Sequence, residues 1–288
     1  MIERIAILGT GLLGASVGLA LRVAGFSGSI VGWNRGAEGA KIALAAGAID
    51  SIVADPLQAA SDSQVVVLAV PIYATLDFME KLAPVLGPQH LVTDVGSTKA
   101  QISTAAARLF NAPDRAAFLP GHPMAGKERG GAALGDATLF QGAVWLFTDH
   151  PKAQRSETSA QWVREWREWV VRLGSKIMDL DPARHDEMVA WVSHLPQFVS
   201  TALAGLLEDE VGTAPELKVI GGRALKETTR LGASPYSMWR DIALTNTEPI
   251  AAALHALEQR LAHLRENLRT GELREEFERA NRFRRDSL

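Results

Sequence analysis

The chain has 288 residues and a mass of 31.0 kDa, enough for about two domains at ~150 residues each and for a large core that needs no staples. Its hydrophobic fraction is 47%, its charged fraction 22% and its formal net charge −3, so no global basic field recruits nucleic acid or an anionic membrane. Cysteine is absent, which excludes disulfides, Cys-ligated zinc, iron–sulfur clusters and a thiolate nucleophile. With no apolar run of ~20 residues and no leader pattern after Met1, the expectation is a soluble, cytoplasmic enzyme.

Through the first two thirds, short apolar runs alternate with helical stretches. Strands are predicted over 5–8, 29–33, 65–70, 91–94, 117–119, 144–147 and 176–180, and helices include 12–23, 37–46 and 100–110. The early strands are nearly all apolar, as strands buried on both faces of a parallel sheet are, and the alternation implies a doubly wound α/β sheet over 1–180. Trp162, Trp166, Trp169 and Leu173 recur at i, i+4, i+7 and i+11, a helix face expected to pack on that sheet. After Asp181-Pro182 only helical spacing remains, broken near Gly212, Gly221-Gly222, Ser234-Pro235 and Gly271. This predicts a second, all-α domain over 181–288, ending in a solvated helix from 273 to 288 with Phe277 and Phe283 as its anchors.

Gly9-Thr10-Gly11-Leu12-Leu13-Gly14 follows the first strand and opens the first helix. In that context Gly9 permits the tight turn, Gly11 lets a pyrophosphate approach the backbone and Gly14 allows close helix–strand packing, a dinucleotide site. The phosphates would sit on free N–H groups at the helix N-terminus, with Leu12 and Leu13 beside them. At the end of the second strand, where NAD-binding chains carry an acidic residue, stand Asn34 and Arg35. Arg35 either pairs with a 2′-phosphate or begins a solvated loop, so the cofactor is read as NAD(P)+ with a lean to NADP.

Three polar segments remain. Asp94-Val95-Gly96-Ser97-Thr98-Lys99 lies just past a strand's C-terminal end, where open α/β sheets bind ligands, and Ser97 or Thr98 can equally cap the next helix. Gly121-His122-Pro123-Met124-Ala125-Gly126-Lys127-Glu128 offers an imidazole base in a loop whose Gly and Pro fix and expose it. In the helical half are Ser193-His194-Leu195-Pro196-Gln197 and Lys226-Glu227-Thr228-Thr229-Arg230. Lys226 and Arg230, at i and i+4, share a helix face that either receives a substrate carboxylate or is a solvated basic face paired to nearby Glu. His185 and His194, nine apart, fall on opposite faces of one helix, so no metal site is expected.

Taken together with Ala69-Val70-Pro71 and Met238-Trp239-Arg240-Asp241, these segments resemble the prephenate/arogenate dehydrogenase family over nearly the whole chain. The resemblance implies a Rossmann-type domain joined to an all-α dimerisation domain, a homodimer, and an active site in the cleft between the domains. It implies that His122 is the catalytic base taking the ring hydroxyl proton of prephenate, and that Ser97 binds that hydroxyl and orients His122. Hydride passes to the nicotinamide and the ring carboxylate leaves as CO2. Arg230 holds a substrate carboxylate with Lys226 nearby, His194, Lys127 and Trp239 line the substrate site, and Glu128 gates it through an ion pair with Arg230. Val70 and Pro71 join Gly9, Gly11, Leu12, Leu13, Gly14, Asn34 and Arg35 at the cofactor. The chain departs from the family at Asn34, at Lys127 where many members carry Thr, and at Gln197 where a second His is frequent. No regulatory or mutase domain is apparent, so any inhibition by tyrosine is expected at the active site. The near alternative is arogenate dehydrogenase, giving L-tyrosine. A β-hydroxyacid dehydrogenase would need Asn four residues after its catalytic Lys, where Lys226 is followed by Arg230. A dinucleotide sensor would have lost Ser97, His122 or Arg230, all present here.

Overall fold

The computed structural model describes residues 1–287; Leu288, the end of the predicted tail helix, lies outside them. Six parallel strands, β1 (Arg4–Leu8), β2 (Ser29–Trp33), β3 (Ser51–Ile52), β4 (Val65–Leu68), β5 (Leu91–Asp94) and β6 (Ala117–Leu119), form one sheet in the order β3-β2-β1-β4-β5-β6. Helices α1 (Leu12–Val23), α2 (Ala37–Ala45), α3 (Pro56–Ser61), α4 (Ile72–Leu82) and α5 (Ala100–Leu109) connect them. The alternation along β1 explains the double winding. Ile5 and Ile7 enter one core with Val17, Leu21 and Trp166, while Ala6 and Leu8 enter the opposite core with Met79 and Ile102. Neither face can meet water, so both carry helices. The strand order reverses between β1 and β4, which opens a crevice at their C-terminal ends.

A second, three-stranded sheet of β7 (Gly121–Pro123), β8 (Val144–Phe147) and β9 (Lys176–Asp179) abuts the first, with β7–β8 antiparallel and β8–β9 parallel. Helix α6 (Glu157–Arg172) precedes β9. Its stripe is buried as expected, with Trp162, Trp166, Trp169 and Leu173 between 0% and 9% exposed; each contributes up to ~3 kcal/mol by leaving water. Two local expectations need correction, and one strand is additional to those predicted. His122 stands in a strand rather than an exposing loop, because residues 121–123 pair with 145–147. The strand predicted to reach Val70 stops at Leu68, and the edge strand β3 has no apolar signature to announce it.

The helical half comprises α7 (Pro182–Val189), a π-helical turn (Ala190–His194), α8 (Leu195–Val211), α9 (Pro215–Ile220) and α10 (Arg223–Thr229). A 3₁₀ turn (Arg230–Ala233), α11 (Tyr236–Thr245), α12 (Thr247–Glu266) and α13 (Glu272–Ser287) follow. The π turn changes the angular step assumed between His185 and His194, and both are buried, at 0% and 1% exposure. Helix α10 ends before Arg230, which breaks the shared α-helical face expected for Lys226 and Arg230. In α13, Phe277 and Phe283 are exposed and anchor nothing among the described residues; Glu276 ties the helix to Arg260 at 2.7 Å. No helix among the described residues is long and apolar enough to cross a membrane.

Candidate active site

The β1–α1 turn is shaped for close approach. Gly9 has φ +102°, and a Cβ there would stand 2.3 Å from the Ala69 carbonyl oxygen. A Cβ at Gly14 would lie 1.9 Å from the Gly9 oxygen, so only glycine lets α1 seat on its own turn. Gly11, by contrast, faces open space, with no heavy atom within 4 Å of where its Cβ would be. The α1 helix bonds back first from the Ala15 N–H to the Gly11 carbonyl, leaving the amides of Leu12, Leu13 and Gly14 for an anionic group. The side chains of Leu12 and Leu13 pack into the core, so their part in such a site is played by backbone. Val70 lies against Gly9 and Pro71 precedes the first turn of α4. At the end of β2, the Asn34 amide donates to the Gly36 carbonyl at 2.9 Å, and Arg35 is exposed and holds no ion pair among the described residues. This turn fits a dinucleotide: a glycine cradle and free amides.

Lys127 is drawn away from the expected substrate contact. Its ammonium binds Asp136 at 3.1 Å and the Leu134 carbonyl at 3.1 Å, and the Asp136 N–H donates to Ser16 on α1 at 3.0 Å. The loop after β7 is thereby tied to the nucleotide helix. The hydroxyl and N–H of Thr138, then Lys127, pull the Asp136 carboxyl down to about 2.

Beside this edge lies a buried polar cluster contributed by both halves of the chain. Asp94, at the end of β5, accepts from the N–H of Gly96 at 2.7 Å and of Gly121 at 3.1 Å, and is paired with the Lys99 ammonium. Both side chains are fully buried. Burial lowers the Lys99 ammonium from its usual value, and Asp94 opposes that shift. The N–H groups of Lys99 and Ala100, at the start of α5, donate to Asp186 of α7 at 2.7 and 2.8 Å. The α5 cap is therefore this distant carboxylate, not Ser97 or Thr98 as the local sequence suggests. Thr98 instead bonds the Thr245 hydroxyl at 2.7 Å.

His122 is 7% exposed and its Nδ1 lies 2.9 Å from Nε2 of His185, whose Nδ1 lies 2.8 Å from Asp186. Burial above all holds the His122 imidazole well below its ordinary 6.5; the positive charge on Lys99, and that which His185 or His194 would carry if protonated, act in the same direction. That shift favours the neutral imidazole, the form that accepts a proton. Ser97 is half-buried; the side chain hydrogen-bonded to His122 is His185. Neither His185 nor Asp186 was singled out as a site residue, since in sequence they read as ordinary helix positions.

His194 presents a donor. Asn246 gives its amide hydrogens to the Asp186 carbonyl at 2.8 Å and toward His194 Nδ1 at 3.1 Å, which makes Nδ1 the acceptor and puts the ring hydrogen on Nε2. Among the described residues that Nε2 is buried without a partner, as is the indole N–H of Trp239, whose ring meets His194 edge-on at 5.7 Å. Buried orphan donors are rare in native proteins, and a pair of them fits the oxygen atoms of a ligand. Burial pushes His194 down to about 4. Arg230, half of it exposed, is ion-paired with Glu128 across the two halves. Lys226 is exposed on α10 and joins none of these contacts. Among the described residues no three His, Asp or Glu are grouped to hold a metal ion.

Residues 17–179 match the family model described as the nucleotide-binding domain of prephenate dehydrogenase, and residues 181–282 match the dimerization domain. The chain is 32% identical over 247 residues to the prephenate dehydrogenase of Lactococcus lactis subsp. cremoris, covering 85% of this chain and 66% of that protein. It thus spans just under two thirds of that relative's length. The crystal structure of prephenate dehydrogenase from A. aeolicus in complex with hydroxyphenyl propionate and NAD+ superposes with a TM-score of 0.88 at 28% identity, over 99% of this chain and 98% of that one. The Synechocystis arogenate dehydrogenase structure superposes with a TM-score of 0.78 at 28% identity, over 99% and 100%.

Proposed function

The chain belongs to the prephenate dehydrogenase family, and from that premise we propose that it oxidises and decarboxylates prephenate to 4-hydroxyphenylpyruvate and CO2 with NAD(P)+. The observation that carries this reading is the buried His122, hydrogen-bonded to His185 in a polar cluster contributed by both halves of the chain, together with the unpartnered donors of His194 and Trp239. The nicotinamide, when bound, supplies the hydride acceptor. His122 takes the proton of the ring hydroxyl, and Ser97 donates to or accepts from the same oxygen. Nε2–H of His194 and the Trp239 indole meet substrate oxygens, and the Arg230 guanidinium holds a carboxylate once Glu128 yields it. Lys226, exposed on α10, adds a positive charge to the same half of the chain as Arg230.

The relatives include an arogenate dehydrogenase, whose substrate carries an ammonium in place of the keto group. No carboxylate is assigned to receive that ammonium, and the reading stays with the keto acid. The site's Asn34 and Arg35 support use of NADP+ as well as NAD+. Arg35→Ala is expected to weaken NADP+ about tenfold while leaving NAD+ unchanged; equal losses would refute the assignment. The apolar side chains left exposed on the helical half, among them Leu206, Leu244 and Leu261, support a homodimer. Sedimentation at micromolar concentration should give twice 31.0 kDa.

The test of function is reduced-nicotinamide absorbance with prephenate and arogenate against NAD+ and NADP+. Turnover of prephenate, and a loss of about 10²-fold or more in His122→Ala with dinucleotide binding intact, is expected. Absence of turnover in all four pairings by folded, dinucleotide-binding protein would sink the reading.

A further inference from the structure

His122 is asked to gain a proton in a place that penalises its cation. We propose that His185 and Asp186 are a positioning relay behind His122, which fixes its tautomer and shares the proton it takes up; this rests on the reading of His122 as the base. The chain of atoms is continuous, 2.9 Å from His122 Nδ1 to His185 Nε2 and 2.8 Å from His185 Nδ1 to Asp186. A carboxylate only accepts, so His185 carries its hydrogen on Nδ1 and offers the lone pair of Nε2. His122 must then donate from Nδ1, which leaves the lone pair on its own Nε2. That atom makes no hydrogen bond among the described residues, and it is not sealed from solvent.

When Nε2 of His122 takes a hydroxyl proton, its Nδ1 proton can cross to His185. One O–H bond breaks, one N–H bond forms at His122 Nε2, and the Nδ1–H bond is exchanged for one at His185 Nε2. The cation then lies against Asp186. The other groups facing His122 do not offer this relief. Lys99 and Asp94 from the β5–α5 segment neutralise one another, and His194 from the π turn is itself held neutral. Among the described residues Asp186 is the carboxylate of the cluster with no Lys or Arg side chain on it, and two α5 amides hold it in place.

Two measurements on the full chain test this. Histidine ¹⁵N NMR at neutral pH, assigned with His122→Asn and His185→Gln, should show both imidazoles protonated on Nδ1 alone. A proton on Nε2 of His122, or on both nitrogens of His185, overturns the relay whether or not the protein turns over prephenate. The second measurement is the pH profile of His185→Gln, whose amide oxygen can accept from His122 but cannot take its proton. Without the relay His122 becomes a weaker base, so its protonation falls at lower pH. Melting temperature, KM and dinucleotide affinity should hold, kcat should drop about 10- to 100-fold, and the acid limb of kcat/KM should move down by about one pH unit. An unchanged kcat, or a lost kcat with the limb in place, refutes sharing of the proton. No turnover by the wild type would defeat the functional reading alone, since the tautomers still decide the relay.

Discussion

At the scale of single residues, the buried histidines carry the strongest consequences. The His194 imidazole titrates near 4 in the fold, against an ordinary value of 6.5, chiefly because burial disfavours its cation. Below about pH 6.5 the unfolded chain binds a proton that the native site refuses, so stability is lost as pH falls, and the loss levels off below about pH 4. For this one group the loss between pH 7 and pH 4 is about 3 kcal/mol. Urea unfolding at the two pH values should show the wild type losing that much more than His194→Gln; a difference near zero would mean the ring is protonated in the fold. Residue identity made His122 and His194 legible, because an imidazole within H-P-M-A-G or S-H-L-P is conspicuous. The tautomers were not legible. They depend on Asn246 and Asp186, which lie 52 and 64 positions away from His194 and His122 in the chain.

At the scale of elements, the strands and helices that sense both faces of the sheet were readable from periodicity, and those set by partners were not. β1 and α1 follow from Ile5–Ala6–Ile7–Leu8 and the glycine turn. β7 exists because β8 pairs with it, and the π turn before His194 leaves no mark in a pattern that assumes 3.6 residues per turn. The start of α5 likewise depends on a carboxylate from α7. The β5–α5 segment is held by the fully buried Lys99–Asp94 pair, and removing one partner of such a pair leaves an unmatched charge. Lys99→Met is expected to cost about 3–5 kcal/mol, or roughly 10 °C in melting temperature. The double variant Asp94→Asn/Lys99→Met should lose less than Lys99→Met alone, because no buried charge is then stranded. If the single and double variants melt alike, the pair is not what holds the segment.

At the scale of the whole molecule, the proposed active site lies where two architectures meet. The sheet supplies the nucleotide edge, Ser97 and His122; the helices supply His185, Asp186, His194, Arg230 and Trp239. Thr98–Thr245 and Lys99–Asp186 join the halves through buried bonds, whereas Glu128–Arg230 joins them through a pair whose side chains are 33% and 58% exposed. An ion pair that wet contributes about 0–1 kcal/mol and weakens with salt, so it is poorly suited to holding the halves together. It is well suited to being exchanged: a substrate carboxylate of the same charge can take the place of Glu128 on the guanidinium. Glu128→Gln should therefore leave the melting temperature within about 2 °C of the wild type. It should lower KM for prephenate several-fold at low ionic strength, with the gain shrinking as salt is added. A large fall in melting temperature with KM unchanged would mean instead that Glu128 serves the domain contact and that Arg230 does not receive the substrate.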